Sequence, residues 1–336
     1  DLILNGGTLS KAVTGAGTTS ITGAVTANSA ISQTISISSS GDLTANAGNI
    51  GGAVTNAGDL ILTGGTLSKS VSGAGLTTIT GNTTNSAGIN QGVKVNSGIT
   101  LTNNAALGSA SGSVTNAGTI NSSADNIKGT VSNTGSLNLS GGTLSKAVSG
   151  SGKTTITGNT TNSGGINQGV TVNSGVTLTN NAALGSDSGT ITNSGTINTS
   201  ASNIKGAVTN NNTVNLSGGT LSKAISGSGT TNITGIVSSN SAISQAISIA
   251  SAGDLTISAS NVGGNVTNAG DLILNGGTLS KSVTGSGKTS ITGAVTANSA
   301  ISQAISIAAS GDLTANAGNI GGAVTNAGDL ILNGGT

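Results

Sequence analysis

The chain repeats a five-residue phrase in which two aliphatic residues enclose three mostly small or polar ones, and a turn rich in Asn, Ser and Gly follows. The phrase reads LSKAV at Leu9–Val13, ISQTI at Ile31–Ile35 and IGGAV at Ile50–Val54. Aliphatic residues that recur in this way mark the buried positions of a repeating unit. We therefore expect the six residues that bound these phrases to form part of the interior: Leu9, Val13, Ile31, Ile35, Ile50 and Val54.

Each phrase is followed by the signals of a short strand. TNAG at Thr55–Gly58 and SNTG at Ser132–Gly135 supply Asn and Gly where the chain must turn. Alternating apolar residues such as Leu137 and Leu139 then suit a strand with one buried face. An α-helix is a poor alternative, because no apolar stripe recurs every three to four residues and Gly, Ser, Thr and Asn are weak helix formers. The pattern predicts two or three short strands per repeat.

The phrases recur at intervals of roughly 17 to 22 residues, a spacing typical of one coil in a stacked repeat protein. They begin at positions 9, 31, 50, 67, 89, 110, 127, 144, 166, 187, 204, 221, 243, 262, 279, 301 and 320. Two coils fit less well, because their first residues are Ala110 and Asp187. With about 4.8 Å per coil, seventeen coils predict a rod of roughly 80 Å.

A longer period is superimposed on the coils. The hexapeptide GGTLSK begins at Gly6, Gly64, Gly141, Gly218 and Gly276 and so divides the chain into short modules, as at 6–63, and long modules, as at 64–140. The two lengths differ by roughly 19 residues, or one coil. Modules begin near residues 1, 59, 136, 213, 271 and 329, and no linker interrupts them. We expect one continuous all-β region over residues 1–336, a parallel β-helix (β-solenoid) of about 17 coils of roughly 19 residues, stabilised by the stacking of neighbours.

Composition narrows the range of functions. Disorder is an alternative for a chain with 57 glycines, but the charged fraction is only 6% and the aliphatic pattern is regular. A formal net charge of +1 and the absence of aromatic residues give no reason to expect nucleic-acid binding. No apolar run reaches the length of a membrane-spanning helix. The lack of Cys is compatible with an extracellular protein without disulfides, although it does not by itself locate the protein.

The sequence predicts no enzyme and no cofactor. His, Cys, Glu and Arg are absent, so neither a Ser–His triad nor a zinc site can be assembled. GSGKT at Gly150–Thr154 resembles part of a phosphate-binding loop, but Ala147 stands where the first glycine is required and no helix is expected to follow. A polysaccharide lyase or hydrolase would need paired carboxylates and aromatic platforms for the sugar rings.

Aspartate is the one weak candidate for a metal ligand. The phrase GDL recurs in pairs whose spacing is close to one coil, so each pair is expected to stack on adjacent coils and could attract a calcium ion. One pair supplies few ligands, and we favour the interpretation of these residues as turn formers whose carboxylates accept backbone N–H groups. The residues concerned are Asp42, Asp59, Asp254, Asp271, Asp312 and Asp329.

Two other polar series have structural interpretations. Five glutamines share one phase of the repeat while the flanking turns repeat Asn, and we expect the side-chain amides to bond along the stack as in a cross-β ladder. The glutamines are Gln33, Gln91, Gln168, Gln245 and Gln303. A lysine recurs once per module, and we expect these lysines along one solvated edge that discourages sideways aggregation. They are Lys11, Lys69, Lys146, Lys223 and Lys281.

With coils of about 19 residues, GGTLSK phrases and a Ser/Thr/Asn/Gly/Ala composition, the chain resembles the repeat regions of large bacterial surface proteins, namely autotransporter passengers and filamentous-haemagglutinin-like adhesins. The resemblance implies a right-handed β-helix that is secreted to the bacterial cell surface and acts there as a stalk or adhesive fibre. Near-identical modules suit a spacer, since residues 1–58 and 271–328 differ at only a few positions.

Both ends of the sequence carry the same phrase, DLILNGGT, without an atypical capping repeat. We expect either a window from a longer protein, which we favour, or coils that continue from one molecule to the next. The leading hypothesis is a structural and adhesive extracellular protein that contacts a host or neighbouring-cell surface. The alternative is a filament or sheath subunit whose partner is a second copy of itself, through uncapped coils or lateral bundling.

Overall fold

The fold is the predicted one, an all-β parallel β-solenoid of about 19 turns with 4% helix. The computed structural model describes residues 1–334, so the last two residues of the closing DLILNGGT phrase lie outside the described residues. The chain divides into two compact units, residues 1–169 and 170–336.

In the first unit the polypeptide forms short strands and two three-residue 3₁₀ helices. The helices are Ala47–Asn49 and Ala124–Asn126. The strands are Leu2–Leu4, Gly7–Leu9, Thr18–Ile21, Ala24–Ala27, Thr34–Ile37, Asp42–Ala45, Val54–Asn56, Asp59–Leu62, Gly65–Leu67, Val71–Ile79, Thr83–Asn85, Ile89–Val95, Thr100–Asn103, Val114–Asn116, Thr119–Ser122, Val131–Asn133, Ser136–Leu139, Gly142–Leu144, Val148–Ile156 and Thr160–Asn162; Ile166–Val172 contains the boundary between the units.

The second unit is built in the same way. Its 3₁₀ helices are Ala201–Asn203, Ala259–Asn261 and Ala317–Asn319. The strands are Thr177–Asn180, Ile191–Asn193, Thr196–Thr199, Val208–Asn210, Thr213–Leu216, Gly219–Leu221, Ile225–Ser226, Thr230–Ile233, Ile236–Ser239, Ala246–Ile249, Asp254–Ile257, Val266–Asn268, Asp271–Leu274, Gly277–Leu279, Val283–Thr284, Lys288–Ile291, Ala294–Ala297, Ala304–Ile307, Asp312–Ala315, Val324–Asn326 and Asp329–Leu332.

Parallel pairing with the coils before and after lines up equivalent residues in three ladders along the first unit. Ladder 1 contains Leu2, Thr19, Ile35, Val54, Val71, Ile89, Leu107 and Ile127. Ladder 2 contains Leu9, Ala27, Ala45, Leu62, Ile79, Val95, Asn116 and Asn133. Ladder 3 contains Leu67, Asn85, Asn103, Ser122, Leu139 and Ile156. Side chains alternate in and out along each strand, so the ladder residues face the core.

The core is aliphatic, as the sequence predicts. Of the six predicted interior residues, Ile31, Ile35, Ile50 and Val54 are at most 2% exposed, while Leu9 and Val13 on the first coil are half-buried. Residues facing outward on the same strands are mostly Thr, Ser and Asn. This division follows from the period-two alternation of a strand with one buried face.

The coil is shorter than the repeating phrases suggest. Seven turns of ladder 1 separate Leu2 from Ile127, so one turn takes about 18 residues. The equivalent leucines of successive modules therefore do not stack: Leu9 lies in ladder 2, whereas Leu67 lies in ladder 3. A module consists of whole turns plus part of a turn, so the phrase moves to another face each time. For this reason seventeen phrases correspond to about 19 turns.

The structure contains both irregular coils, but Ala110 and Asp187 are not the residues that continue the ladder. Leu107, not Ala110, pairs with Ile89 and Ile127, and Leu184, not Asp187, pairs with Ile204. Both misassigned residues belong to small loops closed by reciprocal backbone hydrogen bonds, Ser109 with Gly112 and Ser186 with Gly189. The loops absorb extra residues without disturbing the ladder.

Truncation of a ladder residue tests the dependence of the fold on stacking. Ile89 is fully buried in ladder 1, and we expect Ile89→Ala to lower the free energy of unfolding by about 2–5 kcal/mol, because it leaves a cavity between coils. The measurement is the urea midpoint of the purified protein. The neighbouring side chain of Asn90 is exposed, so Asn90→Ala is the matched control and should change the midpoint little. Equal effects of the two variants would contradict the ladder assignment.

Candidate functional site

The GDL aspartates stack in pairs, as the sequence predicts. Asp42 pairs in register with Asp59, Asp254 with Asp271, and Asp312 with Asp329, each as the first residue of its strand. Adjacent parallel strands are about 4.8 Å apart, so each pair sets two carboxylates side by side on the solvated surface. Like charges directly opposite one another destabilise a sheet.

The expectation that these carboxylates accept hydrogen bonds from backbone N–H groups of the turns is wrong. Throughout residues 1–334, none of the six GDL carboxylates accepts a hydrogen bond, whereas Asp1 accepts the backbone N–H of Thr18 and Asp125 that of Thr143. Nor do the described residues contain a group of three or more acidic, His or Cys side chains that could hold a metal ion. Each pair therefore offers a calcium ion only two carboxylates, fewer than the six to eight oxygen ligands that it prefers.

The residue that follows each pair on the next coil differs. Asp59 pairs with Leu76 in the first unit, and Asp271 pairs with Lys288 in the second. A lysine beside two carboxylates offsets part of their repulsion and disfavours a cation, whereas Leu76 does neither. The Asp42–Asp59 pair is thus the better place to test calcium binding.

We expect Asp59→Asn to raise the free energy of unfolding at low salt by on the order of 0.2–1 kcal/mol, because it removes repulsion with Asp42, and the urea midpoint should rise with it. Asp271→Asn is the matched control and should gain less, since it also removes an attraction to Lys288. High salt should shrink the gain of Asp59→Asn. A wild-type midpoint that calcium raises, and that Asp59→Asn makes insensitive to calcium, would show instead that the pair binds the ion.

The glutamines bond to a threonine of the preceding coil, and all of them except the half-buried Gln33 are buried. Gln91 Nε2 donates to Thr77 Oγ1 at 2.8 Å and Gln168 Nε2 donates to Thr154 Oγ1 at 2.7 Å. Gln245 and Gln303 make the same bond, both at 2.6 Å. Gln33 is reversed, since its Oε1 accepts from Thr19 Oγ1 at 2.9 Å. The glutamines thus join coils through threonine rather than through the expected ladder of their own amides.

The expected amide ladder is formed by asparagine. Inside the first unit Asn116 Nδ2 donates to Asn133 Oδ1 at 2.7 Å, and Asn85 Nδ2 donates to Asn103 Oδ1 at 2.6 Å. Asn193 and Asn210 repeat this contact at 2.7 Å in the second unit. These amides also bond to the backbone of the corner that follows, as in the bond from Asn116 Nδ2 to the carbonyl of Ser136 at 2.9 Å. A buried asparagine therefore hydrogen-bonds to polar groups at the corners of two adjacent coils.

The coil that follows a glutamine phrase carries a glycine directly above it. A Cβ at Gly52 would overlap the carbonyl of Gln33, and Gly264 and Gly322 stand in the same way over Gln245 and Gln303. The sequence shows this coupling as a GG phrase on the coil after each SQ phrase, a signal that the periodicity alone does not reveal. Backbone passes so close at this corner that no side chain fits.

We expect Gly52→Ala to destabilise the protein by more than about 1 kcal/mol, because the new methyl group must displace the backbone of Gln33. Gly318 in the last 3₁₀ helix is the control, since a Cβ there meets nothing within 4 Å and the equivalent positions hold Asp125, Ser202 and Ser260. Thermal unfolding of the two variants measures the difference. Similar melting temperatures would contradict the close approach.

The lysines do not form a single edge. Lys11 follows the ladder 2 residue Leu9, whereas Lys69 follows the ladder 3 residue Leu67. In the second unit Lys223 donates to the exposed carboxylate of Asp187 at 2.6 Å. The hydrogen bond and the charge of Lys223 lower the pKa of Asp187 below its usual value. GSGKT likewise belongs to a strand, Val148–Ile156, and precedes no helix, so the phosphate-loop interpretation stays rejected.

An open polar groove of about 470 Å³ crosses four coils of the first unit. Its wall carries the outward residues Asn121 and Asn138, and Asn138 Nδ2 donates to Asn121 Oδ1 at 2.8 Å. Its floor is a buried relay, in which Asn103 Nδ2 donates to Ser122 Oγ at 2.9 Å and Ser122 Oγ donates to the carbonyl of Ser123 at 2.8 Å. The other lining residues are Thr102, Asn104, Ser140 and Thr157.

A second groove of about 480 Å³ occurs in the second unit, at the equivalent positions one long module later. Its amide wall runs over three coils, because Asn215 Nδ2 donates to Asn198 Oδ1 at 2.7 Å and Asn232 Nδ2 donates to Asn215 Oδ1 at 2.8 Å. Its floor repeats the relay with Asn180 and Thr199 at 2.9 Å. Every lining residue of both grooves is Asn, Ser or Thr.

Comparison with protein-family models, with curated proteins and with solved structures finds no match to this chain. Among the described residues, no helix has the length and apolar character needed to cross a membrane. The site must therefore be interpreted from the molecule's own contacts. Its distinctive chemistry is a pair of uncharged grooves with amide groups held at fixed positions.

Proposed function

We propose that the chain is a structural and adhesive segment of an extracellular fibre at a bacterial cell surface, with the coils as a stiff stalk. The observation that carries the proposal is the parallel pairing of each coil with the next within each unit. Each coil relies on its neighbours for burial, so further modules extend the array without a new fold. Such a construction suits a mechanical spacer.

The surface chemistry supports an extracellular role. Outward positions of the strands are mostly hydroxyl and amide side chains, and only 6% of residues are charged. Polar neutral groups keep the exposed sheet hydrated while leaving it able to bond to another polar surface, whether a host cell or a neighbouring cell. No catalytic step forms part of this proposal, since the residues suited to acid–base chemistry are Asp and Lys alone.

Removal of a whole module tests the stalk. GGT precedes both Leu9 and Leu67, so deletion of residues 9–66 restores one intact GGTLSK phrase and should leave a folded protein that is shorter by roughly 15 Å, at about 4.8 Å per turn. Electron microscopy of the displayed chain measures the length. Deletion of residues 9–37 is the control, because it joins Thr8 to Ser38 out of phase and should disrupt folding nearby.

Adhesion is tested with the same material. Cells that display the chain on a surface anchor should attach to a host-cell layer better than cells with the anchor alone, and the module deletion should retain attachment while it shortens the fibre. A folded chain that gives neither attachment nor a length that follows module number would contradict the proposal. Concentration-dependent polymers of the purified chain, seen in the same micrographs, would favour the self-assembling filament instead.

A further inference from the structure

The two polar grooves have the character of binding sites, and we propose that each binds a segment of a neutral oligosaccharide. This inference deepens the adhesive part of the proposed function and rests on it only for its biological setting, since binding can be measured on the isolated protein. The starting observation is that the lining positions of the first groove recur one long module later with only Ser122 replaced by Thr199. Both grooves therefore present nearly the same amide and hydroxyl groups, although Asn215 Oδ1 accepts a hydrogen bond from Asn232 in the second.

Hydrogen bonds between neighbouring amides hold the side chains of the groove wall in place. Asn138 uses one N–H to reach Asn121, and Asn215 does the same with Asn198. Among the described residues, these bonds leave the Nδ2 hydrogens of Asn121 and Asn198 and the Oδ1 of Asn138 without a protein partner. Because each amide side chain is already ordered, little further side-chain entropy of the protein is lost when a ligand bonds to it.

The chemistry of the open groups selects the ligand. Amide and hydroxyl groups offer both donors and acceptors, as the hydroxyls of a sugar do, and they repeat about every 4.8 Å along the wall. Within the described part of the chain no charged residue lines either groove, so a phosphate, sulfate or carboxylate would meet no counter-charge. An apolar ligand would leave the amides without hydrogen-bond partners. A neutral polyhydroxylated chain satisfies both conditions.

The groove floor does not compete for the ligand. Asn103 and Asn180 are each 2% exposed and bond to the hydroxyls of Ser122 and Thr199, whose own protons go to backbone carbonyls. The floor is therefore rigid and satisfied, and the bonding capacity that remains open is on the wall. Since neither groove contains an aromatic platform, we expect weak binding for a single groove, on the order of 1 mM.

One difference between the grooves allows a neutral ligand to be distinguished from an acidic one. On the outer face beside the first groove, Ser136 pairs with Lys153, whereas the corresponding position beside the second groove holds Thr230. An anionic glycan would prefer the first groove and would bind less tightly at high salt. A neutral oligosaccharide should bind to both grooves with little dependence on salt.

The experiment is a binding assay on the whole purified chain with an array of neutral, sialylated and sulfated oligosaccharides, followed by titration of the best neutral oligosaccharide by NMR. We expect the double variant Asn138→Ala/Asn215→Ala to weaken binding at least tenfold. The matched control is Asn90→Ala/Asn240→Ala, which removes two exposed amides outside both grooves and should bind as the wild type does. Circular dichroism and the melting temperature confirm that both double variants are folded.

Three results would overturn the inference: no neutral oligosaccharide bound at millimolar concentration, equal binding by the groove and control variants, or binding confined to acidic glycans and abolished by Lys153→Ala. If the groove variant loses oligosaccharide but displaying cells still attach, the grooves bind sugar and adhesion resides elsewhere. If oligosaccharide binding holds and cells do not attach, the proposed adhesive function fails while the grooves remain binding sites.

Discussion

Register between successive coils is the constraint on which the rest of the structure depends. Parallel strands of only three or four residues cannot hold together alone, and a slip by one residue would turn every aliphatic side chain outward. Ladders of Ile, Val and Leu fix the register by burial, and the small loops at Ser109–Gly112 and Ser186–Gly189 remove surplus residues from the coil before they can shift it. The loops in the irregular coils thus preserve the register of the regular coils.

Buried amides make the register more specific than aliphatic burial alone does. Aliphatic contacts tolerate a small slip, but the bond from Asn116 to Asn133 requires both residues at the same corner of adjacent coils. The clasp between Gln91 and Thr77 imposes a similar condition, since both side chains are at most 1% exposed. An unpaired amide at these positions would lose its hydrogen bond in a place that water does not reach. Misaligned stacks are therefore penalised more strongly than a purely aliphatic core would achieve.

The sequence was sufficient to predict the fold class, because aliphatic spacing and turn residues are local signals. It also predicted that Asp42 and Asp59 stack, since the interval between them lies close to one turn. It did not distinguish the length of one turn from the slightly longer spacing of the repeated phrases. For this reason the phrases containing Lys11 and Lys69 look equivalent although they occupy different faces. The partner of Gln33 was missed for a related reason, because the bond between Thr19 and Gln33 joins positions whose separation matches no repeat length.

The grooves follow from the difference between the two module lengths. A long module contains an extra turn, and the phrase TINSS or TINTS within that turn supplies the central groove residues Asn121 or Asn198. At the corresponding outward position of the first short module Thr44 pairs with Ile61 on the next coil, so no amide pair forms between these two residues. Insertion of one coil therefore does more than lengthen a spacer, since it sets two amides in register on an outer face. Modules of two lengths allow one stacking rule to produce both plain coils and coils with a polar groove.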